Sequence, residues 1–386
     1  MALPILPYRD PKILSDITEI PKELLALNKT NVLLVTDEFL HKSGATKELE
    51  ETLEQSGINC VIYDKTRPNP TVSNVEEARA LYLENNCQAL VAFGGGSAMD
   101  CAKAVGARVA YPKKSLGQLK GILHVRRKIP TLFAIPTTAG TGSEITLAAV
   151  ITDDKTRNKY PINSFPLIPR YAVLDPKVTY SLPKHLTSTT GIDALTHAVE
   201  AYIGRSTTKE TRKKALEATA LIYKNIEIAY SNPTDYEARK NMLYAAFLAG
   251  GAFSKSYVGY IHAVAHSLGG EYNIPHGLAN SVLMPIVLES YGKSAYKKLH
   301  RLGIAAGVCR EDDSHKDGAE KFILSIKELN SRMGIGEVLE GIKKEDISRL
   351  SRNADKEANP LYPVPRLMGA KDLEQFYYKV ADWSKQ

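Results

Sequence analysis

Five short apolar runs in the first half of the chain limit its fold more than any other feature. They are NVLLVTD (31–37), NCVIYD (59–64), ALVAFGGGS (89–97), KIPTLFAIPTTAGTGSE (128–144) and YAVLDP (171–176). Polar or helix-patterned stretches separate them, including a polar helix expected to end at Gln55 and another expected over 75–85. Strands that are apolar throughout, rather than at every second residue, are buried on both faces, which predicts a parallel sheet with helices on each side. After about Pro183 the pattern changes. TTGIDALTHAVEAYIG and ETRKKALEATALIYKNIEIAY carry helical spacing with few β-branched runs. The expectation is an α/β N-terminal domain over 1–182 and an all-α C-terminal domain over 183–386, with no repeat or low-complexity linker.

Composition narrows the class. At 386 residues the chain has room for two or three domains of roughly 100–200 residues. A net charge of +7 is dispersed, with no block of one sign, which argues against nucleic acid or a membrane surface as partner. No apolar run approaches the ~18 residues of a spanning helix. The start, MALPILPYRDPK, has three prolines and early charges where a signal peptide needs an apolar core. Cys60, Cys87, Cys101 and Cys309 are scattered, as befits reduced thiols in a cytoplasmic protein.

Gly94, Gly95, Gly96 and Ser97 stand between an expected strand and an Ala-rich helix. Backbone N–H groups at such a helix start suit a pyrophosphate, so the first domain reads as dinucleotide-binding. The usual G-x-G-x-x-G pattern is not met, because Met99 stands where its third glycine belongs. A second small-residue loop, PTTAGTGSE, offers hydroxyls at Thr137, Thr138, Thr141 and Ser143. Two such loops after successive strands place a crevice at the strands' C-terminal ends, where open α/β sheets bind ligands. Asp37 ends the first strong strand, where an acid can accept both ribose hydroxyls of an adenosine or cap the next helix.

Four of the nine histidines fall in two segments. GIDALTHAVEAY sets Asp193 and His197 at i,i+4, and YIHAVAHSLGGEYNIPHG sets His262 and His266 at i,i+4 with His276 beyond a Gly-Gly turn. Such pairs share a helix face about 6 Å apart. Imidazoles with one carboxylate are the ligands of a borderline divalent metal such as Fe(II), Zn(II) or Mn(II), and spacing leaves open which three or four bind.

TDEFLHKSG, PNPT, FGGGSAMDCAKA, PTTAGTGSEIT, NKYPIN, GIDALTHAVEAY and IHAVAHSLGGEYNIPHGLAN follow one another in an order that resembles the iron-containing (group III) alcohol dehydrogenase family nearly end to end. That resemblance implies a dehydroquinate synthase-like fold, an NAD cofactor and a Fe2+ ion, with Zn2+ as the alternative. It places the metal on Asp193, His197, His262 and His276, and leaves His266 as a proton relay. It assigns cofactor contacts to Asp37, Asn69, Gly95, Gly96, Ser97, Asp100, Thr137, Thr138 and Lys159. It also implies a homodimer or larger homo-oligomer.

The chain departs from many members at DKEANPLYPVPRLM, which lacks their cysteine. Ala148, Ala149 and Phe253 are expected in an apolar substrate pocket, which suits short-to-medium primary alcohols and their aldehydes. The rival readings are a dehydroquinate-synthase-like lyase, a non-catalytic metal- or nucleotide-binding scaffold, and a metal hydrolase, although a hydrolase leaves both glycine loops unexplained.

Overall fold

A computed structural model describes residues 9–156 and 158–384, which fall into two compact units dividing between Ser181 and Leu182. The apolar start at residues 1–8 lies outside the described residues.

The N-terminal unit contains nine strands: β1 (Lys12–Leu14), β2 (Asn31–Val35), β3 (Asn59–Tyr63), β4 (Ala89–Gly94), β5 (Gly121–Ile122), β6 (Thr131–Pro136), β7 (Ala148–Thr152), β8 (Lys159–Asn163) and β9 (Tyr171–Val173). Six of them form one parallel sheet in the order β1-β9-β6-β4-β2-β3. Its helices are α1 (Ile20–Ala26), α2 (Glu38–Lys42), α3 (Lys47–Gln55), α4 (Val72–Glu84), α5 (Gly96–Ala110) and α6 (Leu116–Leu119). Alternate strand residues serve opposite faces, as the pleat requires. Leu33, Val35, Leu90 and Ala92 join one core, while Val32, Leu34, Val91 and Phe93 join the other. Both faces of the sheet are therefore dry, which explains the unbroken apolar runs.

Three details differ from the expectation. The polar helix up to Gln55 is broken in two at Gly44, whose φ of +79° is a conformation glycine adopts without penalty. The helix expected from residue 75 starts at Val72, because Thr71 and Asn74 form a reciprocal cap. The segments ITLAAV and NKYPIN form an additional sheet, β5-β8-β7, in which β7 and β8 run antiparallel.

The C-terminal unit is helical: α7 (Lys184–Ile203), α8 (Lys209–Ser231), α9 (Tyr236–Ser256), α10 (Tyr260–Tyr272), α11 (His276–Tyr291), α12 (Tyr296–Ala305), α13 (His315–Arg332), α14 (Ile347–Ala358) and α15 (Ala370–Val380). The expected Gly-Gly turn is not a turn, since Gly269 and Gly270 continue α10. The chain reverses instead at Asn273, which is left-handed with φ +55°. Asn tolerates that conformation through its short polar side chain. A side chain at 269 would begin 3.4 Å from the Ile274 carbonyl oxygen, so the glycine gives the returning chain room.

Candidate functional site

In the N-terminal unit the two small-residue loops meet. Gly94 closes β4 at φ +152°, and a Cβ there would lie 2.8 Å from the Ala98 Cβ. A Cβ on Gly95 would stand 3.6 Å from Thr138, and one on Gly96 would stand 3.0 Å from Thr141. The Thr137 N–H donates to the Gly94 carbonyl at 3.0 Å. Gly95 is the N-cap of α5 and has no side chain to satisfy the N–H groups of its first turn, an arrangement suited to an anion. Ser97 Oγ accepts from the Asn69 N–H at 3.3 Å. Asp37 caps α2 through Oδ1, which accepts from Leu40 N–H at 2.9 Å, while its Oδ2 lies 4.0 Å from where a Gly94 Cβ would be. Asp37 thus caps α2 with one oxygen while the other lies on the side of the Gly94 turn. Lys159 reaches this edge through the second sheet: it pairs with Thr152, whose N–H donates to Pro70 O at 2.9 Å, next to Asn69.

Asp100 is engaged within the protein. Its Oδ1 accepts from Ser143 Oγ–H and its Oδ2 from Val150 N–H, each at 3.0 Å, so the carboxylate stitches α5 to β7. Lys103, one turn on and fully buried, donates to Ser143 Oγ, Thr146 O, Thr146 Oγ1 and Ala148 O at 2.8–3.1 Å. Burial pulls this amine down to about 8, against the pull of Asp100 and Glu144. Ala149 is fully buried in the sheet core, which removes it from the expected pocket wall.

In the C-terminal unit Asp193 of α7, His262 of α10 and His276 at the start of α11 bring their ligand atoms within 4.8 Å of one another. Asp193 Oδ1 lies 3.8 Å from His262 Nε2 and 3.5 Å from His276 Nε2. Asn280, one turn beyond His276, places its amide nitrogen 2.7 Å from Asp193 Oδ1, 3.1 Å from His276 Nε2 and 3.3 Å from His262 Nε2. One nitrogen within 3.3 Å of all three shows that their ligand atoms converge on a common point, as a divalent cation requires. The donor set of one carboxylate and imidazole nitrogens also fits iron or zinc. His197 stands outside this trio, its ring stacked on His262 at 4.5 Å between centroids and on Phe253 at 4.2 Å. His266 stacks on His276 at 5.2 Å, and its Nδ1 lies 2.7 Å from Glu357 Oε1, which also accepts from the Tyr362 hydroxyl at 2.8 Å. Burial works to lower the His266 imidazole, but the Glu357 carboxylate prevails and raises it.

Three neighbours of the cluster escaped the sequence reading. Glu200 had a signal, since Asp193, His197 and Glu200 fall at i, i+4 and i+7 on one face of α7. Asn280 had one too, at i+4 from His276. Glu357 had none, because α14 meets His266 only through the tertiary fold. Burial pushes the Glu200 carboxyl up to about 8 and holds the His262 imidazole well below its ordinary value. A bound divalent cation would act in the opposite direction on the carboxylate.

The family description Iron-containing alcohol dehydrogenase matches residues 14–176, and Fe-containing alcohol dehydrogenase family, C-terminal, matches residues 187–381. The chain belongs to the iron-containing alcohol dehydrogenases. This dehydrogenase is 35% identical over 361 residues to the NAD-dependent methanol dehydrogenase of Bacillus methanolicus, covering 93% of this chain and 94% of that one. It is 36% identical over 355 residues to the 1,3-propanediol dehydrogenase of Citrobacter freundii, covering 91% of each. A solved 1,3-propanediol oxidoreductase superposes with a TM-score of 0.93 at 34% identity, covering 97% of this chain and 100% of that one. The fold is that of the family, and the dehydrogenase is an oxidoreductase of the metal-dependent alcohol dehydrogenase and aldehyde reductase type. Membership favours this chemistry over the lyase, scaffold and hydrolase readings. No helix among the described residues is long and apolar enough to cross a membrane.

Proposed function

We propose that the dehydrogenase interconverts short-to-medium primary alcohols and their aldehydes with NAD(H), using Fe2+ or alternatively Zn2+. The observation that carries this reading is the convergence of Asp193, His262 and His276 on the Asn280 amide nitrogen. His197, stacked on His262, would be the fourth ligand. When bound, the metal supplies Lewis acidity toward the alcohol oxygen and the nicotinamide supplies the hydride acceptor.

The chain's own residues do the rest. Residues 95–97 offer N–H groups to the pyrophosphate, Thr137 and Thr138 line the adjoining loop, and Asp37 accepts from the adenosine ribose. Asn69 and Lys159 flank that crevice, and Asp100 holds its floor through Ser143 and Val150. With Nδ1–H held by Glu357, His266 presents Nε2 to take up or return the alcohol proton. Phe253 supplies apolar surface beside His197. The working form is proposed to be a cytoplasmic homodimer or larger homo-oligomer.

Anaerobic purification with metal analysis, followed by NADH oxidation against an aldehyde panel, tests the proposal. Stoichiometric iron or zinc with turnover of simple aldehydes is the expected result. A protein that turns over no aldehyde after reconstitution with either metal would refute it.

A further inference from the structure

The most buried carboxylate near the metal cluster is not one of its ligands. The Glu200 side chain is 1% exposed, against 3% for that of Asp193, and sits on α7 two turns beyond it. Its Oε1 accepts from Ile261 N–H at 2.8 Å, and its Oε2 accepts from Gly259 N–H at 2.7 Å. Those two groups belong to the opening turn of α10, whose N-cap, Gly259, has no side chain to satisfy them. A carboxylate at a helix start is favoured there by the exposed N–H groups and the helix dipole. Capping alone needs nothing more. Yet the shortest contact Glu200 makes is a third one, 2.6 Å from Oε2 to His262 Nδ1.

The other side of the His262 ring fits a proton on Nδ1. Asn280 Nδ2 lies 3.3 Å from His262 Nε2 and 2.7 Å from the Asp193 carboxylate. An amide oxygen in that place would face the carboxylate at contact distance, so the amide group there is NH2, and Nε2 faces a donor with its lone pair. With Glu200 ionised, as a bound divalent cation favours, Nδ1 bears the hydrogen and donates it to Glu200. The imidazole is held at both ends, with its metal-binding lone pair aimed at the point where Asp193 and His276 converge.

Room for this arrangement depends on one residue. A Cβ at Gly259 would lie 2.7 Å from Glu200 Oε1 and 3.1 Å from its Cδ. A side chain there would crowd Oε1, so the carboxylate or the start of α10 would have to shift.

We propose that Glu200 is a positioning residue of the metal centre, fixing the tautomer and direction of His262, and that Gly259 is required to admit it. The proposal rests on reading Asp193, His262 and His276 as metal ligands. Outer carboxylates that orient a ligating histidine are worth about 10- to 100-fold in metal affinity.

Co(II) affinity, measured by competition with a chromophoric chelator, tests this on the full chain together with the visible Co(II) spectrum and the melting midpoint of the metal-free protein. Glu200→Gln is isosteric, but its NH2 must oppose one of the three donors. The expected result is Co(II) binding about 10- to 100-fold weaker with an altered spectrum, and a change in the same direction for Gly259→Ala. A lower melting midpoint with wild-type Co(II) affinity and spectrum would make Glu200 a helix cap only and overturn the proposal. His262→Ala is the separate control: if it binds Co(II) like the wild type, the ligand reading itself is wrong. Should Glu200→Gln fail to fold, the Zn(II)-loaded wild type decides through its imidazole 1H–15N spectrum. A strongly downfield His262 Nδ1–H is expected, and one at the position of a solvent-exposed imidazole N–H overturns the proposal.

Discussion

Asp37 divides its two oxygens between two tasks. Oδ1 caps α2, and Oδ2 faces the Gly94 turn. Lys42 and Lys47, which could have softened its charge, pair instead with Glu38 and Glu51. A 2′-phosphate brought to the Gly94 turn therefore meets a like charge. Asp37→Gly is expected to raise the kcat/KM for NADP(H) relative to NAD(H). It should lower stability by only a few tenths of a kcal/mol, because glycine is nearly as good an N-cap. Kinetics with both cofactors check this, and an unchanged ratio would remove Asp37 from the cofactor site. In the metal cluster, His276→Ala is expected to lose metal and turnover together, whereas His266→Ala should keep its metal and lose turnover. Metal content measured beside activity separates the two, and an empty site in His266→Ala would mean that the ligand set is misassigned. Because Ala149 is core, the preference for apolar alcohols now leans on Ala148 and Phe253. A kcat/KM for glycerol above that for butanol would count against it.

Elements place the ligands, and small residues set how closely the elements approach. A Cβ on Gly277, beside His276, would stand 2.5 Å from the Thr189 carbonyl oxygen of α7. Backbone cannot yield as a side chain tip can, so Gly277→Ala must push α11 away from the helix that carries Asp193. A stability loss of about 1–3 kcal/mol is expected from the overpacking, accompanied by weaker metal binding. Thermal melting and metal titration read the two effects, and a variant with wild-type values in both would show that α11 has slack. The same elements show what could be read beforehand. β2, β4 and β6 were plain in the sequence because a strand buried on both faces writes an uninterrupted apolar run. β7 and β8 were not, because AAVIT and KYPIN alternate buried with exposed residues and Pro161 sits within the second. Asp193, His262 and His276 stood out through helical spacing and the scarcity of histidine elsewhere. Glu357 could not, since its 91-residue separation from His266 closes only through packing. The bonds from Asp100 to Ser143 and Val150 likewise close only through packing, across 43 and 50 residues.

For the whole molecule, two expectations concern stability. A metal bound only by the folded chain stabilises it by about 4 kcal/mol at a thousand times its dissociation constant. Chelation should thus lower the melting midpoint of the wild type and leave that of His276→Ala unmoved, and equal shifts in both would mean that the chelator acts elsewhere. The second expectation concerns Lys103, whose buried amine falls from 10.5 to about 8. Between those pH values the unfolded chain holds a proton that the folded chain has released, so stability rises with pH across the window. The contribution is complete above 10.5 and gone below about 8. Urea midpoints of wild type and Lys103→Met should therefore diverge from pH 8 upward, by an amount on the order of a few kcal/mol at the top of the window. A constant difference between the two would show that Lys103 keeps its proton throughout. The metal cluster also has a consequence in time. Asp193 and His276 are 83 residues apart in the chain, so at 5–20 residues per second a ribosome makes the last ligand roughly 4 to 17 s after the first. Until then the emerging polypeptide has only an incomplete claw, and α10 and α11 have not packed. The ion must be acquired after this stretch has left the exit tunnel, and which ion it is depends on the free metal pool that the newly finished protein meets.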